Sequence, residues 1–282
     1  MSDELLIRQM DRSELDFAVE LAAKEGWNPG LHDADSFYAA DANGFLVGLL
    51  NDKPVACISA VSYEKKFGFI GFYIVAHGYR KKGYGIQLWN AAIQKLKSHN
   101  IGLDGVLAQQ HNYKKSGFKF AYSNIRYEWK NVRQRFDKRS LFDGATFPFE
   151  RIYEYDRKFF PADREEFLKH WLSMPESFST VHMMHNEVLG YGVVRKCRVG
   201  YKVGPLFAND AATAENIFLN LADQLEEKTP IFLDVPEVNL KAMELAKKFG
   251  MKNVFGSARM YTGEFPDISV DRTYGVTTFE LG

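Results

Sequence analysis

The sequence predicts a mixed α/β fold, a largely antiparallel central sheet flanked by helices, present twice in the chain. Three observations predict it. Extended apolar runs joined by turn residues lead into an amphipathic helix in the first half. A hairpin, a helix, a strand, a helix ending in glycine and a final strand then recur in the same order in the second half. At 282 residues the chain is also long enough for two domains, each with its own core.

LLIRQM, Leu5 to Met10, reads as a strand, and Asp11 with Glu14 has capping-box spacing before the helix FAVELAAKEG, closed by Gly26. WNPGLHDADSFYAAD reads as a less regular segment. FLVGLL and VACISAVSY flank Asn51, Asp52, Lys53 and Pro54 as a hairpin, and GFIGFYIV is a third extended run. From Tyr84 to Lys97 the apolar residues recur at three- and four-residue steps, which predicts a helix. DGVLAQQ reads as a strand, and the segment from Tyr113 as a helical turn ending at Gly117 before a last strand. QRFDKRSLFDGATFPFE has the composition of a connector, so residues 1–135 and 145–282 are expected as the two domains. In the second half DREEFLKHWL starts a helix, VLGYGVVRKCRVGYKVGPLF is a strand pair and AATAENIFLNLADQLEE a helix. IFLDV is then a strand, NLKAMELAKKFGMK a helix ending at Gly250, and RMYTGEF a strand.

The composition is that of a folded protein, 46% hydrophobic and 26% charged. Lys plus Arg and Asp plus Glu number 36 each, so no global field favours nucleic acid, and any anion site must be a local cluster. Cys57 and Cys197 are too few for a disulfide framework and are not spaced as metal ligands, which points to a reducing compartment and no metal. The N-terminus lacks a signal-peptide core, and no apolar run approaches the ~20 residues needed to cross a bilayer. A cytoplasmic protein with no membrane or nucleic-acid partner is expected, and the sequence does not fix its oligomeric state.

The chemistry concentrates in VAHGYRKKGYGIQLW, Val75 to Trp89. A strand that ends just before a helix exposes backbone N–H groups with no partner inside the helix, and their dipoles sum to a positive end suited to phosphate. Gly83 and Gly85 remove Cβ atoms beside the main chain, while Arg80, Lys81 and Lys82 add charge. The spacing fits neither GxxxxGK nor GxGxxG, because Leu88 stands where a third glycine would be needed. A loop shaped by Gly78, Gly83 and Gly85 with solvated charges is the structural alternative.

Arg80-x-x-Gly83-x-Gly85, following an apolar strand and opening a helix, resembles the acyl-CoA pyrophosphate loop of the GNAT acetyltransferase superfamily. The resemblance implies the acyl-CoA N-acyltransferase fold. It also implies acetyl-CoA as co-substrate, held by Arg80, Lys81, Lys82, Gly83, Tyr84, Gly85 and Ile86, with Ile74 and Val75 pairing with the pantetheine arm. Tyr113, four residues before Gly117-Phe118, matches the family's tyrosine that protonates the departing thiolate. This sequence departs from the pattern at His77 and Gly78, at Lys81, and at Val106, where the family has Asn. In the second half Asn239 and Ala242 match the family's Asn-x-x-Ala helix, but Ala246 takes the tyrosine position and Pro205 stands in a segment without the anion loop. A degenerate second copy, walling one side of the substrate cleft, is therefore implied.

The implied activity is direct transfer of an acetyl group to the amine of a small molecule or a peptide N-terminus. His111 is the leading candidate base, with Glu64 or a water chain as alternatives. Asp234, His182, His185 and Tyr261 are candidates for the cleft wall. A non-catalytic acyl-CoA sensor and a scaffolding protein are the competing readings.

Overall fold

The computed structural model describes residues 4–282. The first half runs β1 (Leu6–Gln9), α1 (Leu15–Lys24), α2 (Asp33–Ala40), β2 (Phe45–Leu50), β3 (Lys53–Tyr63), β4 (Phe67–Val75), α3 (Tyr84–Lys95), β5 (Asn100–Val106), α4 (Gln110–Lys115) and β6 (Lys119–Lys130). The second half runs β7 (Leu141–Asp143), α5 (Phe149–Asp156), α6 (Glu165–Leu172), β8 (Ser177–Met184), β9 (Glu187–Lys196), β10 (Tyr201–Ala208), α7 (Ala211–Asp223), β11 (Pro230–Pro236), α8 (Leu240–Lys248), β12 (Lys252–Tyr261) and β13 (Thr273–Gly275). The expected hairpin turn is present, with Asn51 and Asp52 both at positive φ, as is the capping box between Asp11 and Glu14.

Three local readings are corrected. The segment read as irregular contains α2, whose Phe37 packs edge-on to Phe72 and stacks on Trp171 of α6. DGVLAQQ is not one strand: β5 starts at Asn100 and ends at Val106, and Leu107–Gln109 is a 3-10 turn. The connector contains β7, which pairs with β8.

Among the described residues all thirteen strands belong to one sheet, in the order β1-β2-β3-β4-β5-β12-β6-β11-β10-β9-β8-β7, with β13 paired to β10. The two halves exchange their last long strands. β12 of the second half lies antiparallel to β5 of the first, β6 of the first half lies antiparallel to β11 of the second, and β6 and β12 pair at the centre. Two equivalent ion pairs hold this seam. Asp104 and Arg259 stand opposite one another on β5 and β12, joined by bonds of 2.9 and 2.6 Å. Asp234 and Arg126 do the same on β11 and β6, at 2.6 and 2.7 Å. The repeated Leu-Asp of Leu103-Asp104 and Leu233-Asp234 is the sequence trace of that symmetry.

Helices α1, α2, α5 and α6 of both halves pack on one face into a shared aromatic core that includes Phe37, Phe72, Phe160, Trp171 and Tyr191. On the opposite face α3 buries Leu88, Trp89 and Ala92 against the first half's strands. Helices α7 and α8 bury Ile217, Phe218, Leu221 and Leu245 against the second half's strands. Burying large side chains of this kind contributes roughly 1.5–3 kcal/mol each before the entropic cost of folding.

Candidate acyl-transfer cleft

The cleft follows from where β4 and β5 stop pairing. They run parallel from Phe67↔Asn100 to Ile70↔Leu103, and beyond that point they have no register. The cause is local. Between Ser59↔Gly71 and Cys57↔Ile74 the pairing with β3 slips, and Phe72 sits in the bulge at φ 47°. Among the described residues, 71–75 thus have one strand edge without a partner strand, its Val75 carbonyl taken only by the Arg80 side chain, and it lines a cavity of about 720 Å³. That volume falls within the range of small-molecule sites.

At the outer end stands the glycine turn. Gly83 is the N-cap of α3 at φ 83°, where a residue with Cβ is strained, and Lys81 before it is at φ 63°. Among the described residues no side chain caps the helix, so its first N–H groups remain available for an anion. Gly85 faces the Tyr73 hydroxyl, which would lie 2.9 Å from an added Cβ. Ile74, Val75, Arg80, Lys81, Gly83, Gly85 and Ile86 all line the cavity. Lys82 and Tyr84 do not; the Lys82 ammonium lies 5.6 Å above the Tyr79 ring. Arg80 is less free than its charge suggests. Its guanidinium pairs with Glu25 and donates to the Val75 carbonyl at 2.7 Å, so it braces the turn as well as charging it.

Tyr113 of α4 reaches the cleft from the β5 side. Its ring packs on Trp89 at 5.5 Å, and a Cβ on Gly105 would stand 2.3 Å from it. Burial, with a smaller contribution from Tyr73, pushes the phenol up to about 12, so it is a proton donor throughout the working range. His111 is exposed on the same helix and does not line the cavity. Glu64 accepts from the Asp163 N–H at 3.3 Å, away from the cleft. Asp234 is buried against Arg126, and His182, His185 and Tyr261 lie outside the cavity lining.

The inner end was not foreseen. Trp27, Arg126, Phe255, Phe279 and Glu280 line it, contributed by both halves and by the last residues of the chain. The glycine pattern of the turn gave no signal for them, because they come together only through the strand exchange and the path of residues 276–282.

The second half has the corresponding notch, and its own chain fills it. β10 and β11 pair in parallel only from Tyr201↔Ile231 to Val203↔Leu233. Beyond that point β13 inserts, pairing with β10 at Leu206↔Gly275 and Phe207↔Thr273, while the Val276 N–H donates to Asp234 at 2.9 Å. Asn239 anchors the insertion. Its side chain caps α8 through the Ala242 N–H at 3.1 Å and donates to the carbonyls of Val270, Asp271 and Thr273 at 3.3, 3.1 and 2.9 Å. The N-terminus of α7, the counterpart of α3, is capped by the Asp210 carboxylate, which accepts from the Thr213 N–H at 2.9 Å. A carboxylate there satisfies an amide and repels a phosphate.

With this geometry in place, the comparisons fall on both halves. The acetyltransferase (GNAT) family matches residues 9–118, and the acetyltransferase (GNAT) domain matches residues 152–275. The holothin acyltransferase of Pseudoalteromonas sp. (strain SANK 73390) is 31% identical, over 93% of this chain and 90% of that protein. The chain belongs to the GNAT superfamily, with two GNAT domains in tandem. A solved structure from Pyrococcus horikoshii, assigned as an acetyltransferase, superposes on this GNAT chain with a TM-score of 0.83 at 25% identity, covering 100% of this chain and 97% of that one. A tandem GNAT protein from the clavulanic acid biosynthesis pathway shares the fold, with a TM-score of 0.65 at 11% identity over 93% of this chain and all of that one. GNAT membership supports acyl transfer by this chain; GNAT relatives generally use acyl-CoA and act on amine-bearing acceptors. Among the described residues no helix is long and apolar enough to cross a membrane.

Proposed function

We propose that this GNAT protein is an acetyl-CoA-dependent N-acetyltransferase that moves the acetyl group directly onto the amine of a small molecule or a peptide N-terminus. The observation that carries this reading is the meeting, on one cleft, of an uncapped helix N-terminus, an unpaired strand edge and the Tyr113 phenol.

The residues present fit the co-substrate. The amides opening α3, with Arg80 and Lys81, would hold its pyrophosphate, and the edge at Ile74 and Val75, which has no partner strand but whose Val75 carbonyl Arg80 holds, would take the amides of its pantetheine arm. The co-substrate supplies an acyl group activated as a thioester. Tyr113 presents its proton to the departing sulfur, and the walls of the cleft hold amine and thioester in line, which alone accounts for much of the acceleration. Residues 1–135 form the binding half in this reading. Residues 145–282 form a copy without a cofactor site, filled by β13, that walls the inner end of the cleft. The reduced thiols of Cys57 and Cys197, both buried, suit a cytoplasmic setting.

Thiol release from acetyl-CoA, screened against amino acids, polyamines, arylalkylamines, amino sugars and peptides, tests the proposal. One class is expected to stand out. A flat response with CoA still bound would favour a sensor of acyl-CoA, and absence of CoA binding would remove both readings.

A further inference from the structure

We infer that the acceptor is a primary amine carried on a flat, apolar body, and that Glu280 binds its nitrogen and takes the protons it loses. The inference rests on the acyltransferase reading and names the acceptor for it.

Three acidic residues line the cleft, and the side chains of two of them are committed. Glu25 pairs with Arg80, and Asp104 is held by Arg259 and by Asn124 at 2.8 Å. Glu280 is different. It is 3% exposed, yet among the described residues its carboxylate bonds only the Thr278 hydroxyl, and no Lys, Arg or His lies within ion-pair distance. Three buried cations, Arg126, Arg195 and Lys202, act on it from beyond ion-pair distance, and Arg126 and Arg195 are committed to Asp234 and Asp33; a directly bonded counter-ion is therefore missing, and an ammonium group entering the cleft would supply one. The nearby Arg126 does not compete for that role or invite an acidic substrate. Its guanidinium is bidentate to Asp234 and lies 5.5 and 5.0 Å from the Phe255 and Phe279 ring centres.

Trp27, Phe255 and Phe279 line the same end of the cleft, and these apolar residues suit a flat body and would leave the hydroxyls of a sugar or the further amines of a polyamine without partners. In the transfer the amine nitrogen bonds the acyl carbon, the C–S bond breaks, and its electron pair goes to sulfur. The ammonium first gives one proton to Glu280, which releases it to solvent before the amine attacks; after the N–C bond forms, the nitrogen's second proton passes to Glu280 and the sulfur takes one from Tyr113. Exchange with solvent restores both groups, so ammonium and acyl-CoA become amide, CoA and one proton released to water.

The test uses the full chain, saturated with CoA for binding and with acetyl-CoA for turnover, and three probes: 2-phenylethylamine, spermidine and glucosamine. Calorimetry is expected to show 2-phenylethylamine binding wild type at least about tenfold more tightly than Glu280→Gln, with CoA affinity equal in the two. Its kcat/KM is expected to fall about 10²-fold in Glu280→Gln, and to exceed those of spermidine and glucosamine by about tenfold in wild type. Equal amine affinity and turnover in the two proteins would overturn the inference. So would a preference for spermidine or glucosamine, or a CoA-binding wild type that acetylates none of the three. If Glu280→Gln loses CoA affinity, the ranking of the three amines on wild type decides alone. A wild type that binds no CoA overturns the proposed function, and this inference with it.

Discussion

The main chain at Glu280 crosses β4 at Gly71, so closely that a Cβ on Gly71 would stand 2.2 Å from the Glu280 carbonyl oxygen. Gly71 is therefore the position that lets the last residues of the chain lie over the bulge of β4 and complete the inner end of the cleft. Gly71→Ala is expected to push that segment away. The expected result is a loss of at least about tenfold in kcat/KM, CoA affinity within about twofold of wild type, and faster hydrogen exchange over residues 276–282. Unchanged turnover would show that the segment does not shape the site.

Asn239 holds the plug of the second half. Asn239→Ala removes a helix cap and leaves three carbonyls without a donor, so a loss of about 2–4 kcal/mol is expected in urea unfolding. Asn239→Asp retains the cap acceptor but not the donors and should fall in between. A loss below about 0.5 kcal/mol for Asn239→Ala would mean β13 is held by its strand pairing alone.

Tyr113→Phe is expected to lower kcat about 10²-fold with CoA affinity intact. The pH dependence follows from the phenol being the active, protonated form below its pKa. Burial raises that pKa to about 12, so this group contributes no falling limb to the wild-type profile between about pH 7 and 10. A falling limb near ~10 that disappears in Tyr113→Phe would place the phenol in water instead.

The seam between the halves is tested at Asp234. Burial opposes its ionisation, but the Arg126 charge and hydrogen bonds, with Lys202 and Arg195 nearby, outweigh it and hold the carboxyl below its ordinary range. The pair's contribution to stability is therefore full above the unfolded pKa of ~3.9 and is lost as pH falls through the lower folded value. Asp234→Ala strands the Arg126 guanidinium and should cost about 3–5 kcal/mol at neutral pH, with a smaller difference from wild type in acid. Equal thermal midpoints at neutral pH would contradict this.

What was legible in the sequence was local. The meander β2 to β4, helix α3 and the glycine turn are written in short-range periodicity and turn chemistry, and Tyr113 follows from its spacing to Gly117. The eight-residue α2 has few apolar positions to repeat and is fixed by Phe37 packing on Trp171, far away in sequence. The exchange of β6 and β12 is a choice between partners of equal strand character, settled by pairs such as Asp104 with Arg259. VDRTYGVTTFELG has no helical or strand period, yet it supplies the plug at Thr273–Gly275 and the carboxylate at Glu280. His111 and Glu64 were sensible bases by type, but the helix face of one and the turn of the other keep both out of the cleft lining.

The central claim is that one cleft, between β4 and β5, takes acyl-CoA, while its counterpart between β10 and β11 is closed by β13. Calorimetric titration of CoA into wild type and Gly85→Trp tests it most directly. One site per chain is predicted for wild type and none for Gly85→Trp; two sites, or binding that survives Gly85→Trp, would contradict it.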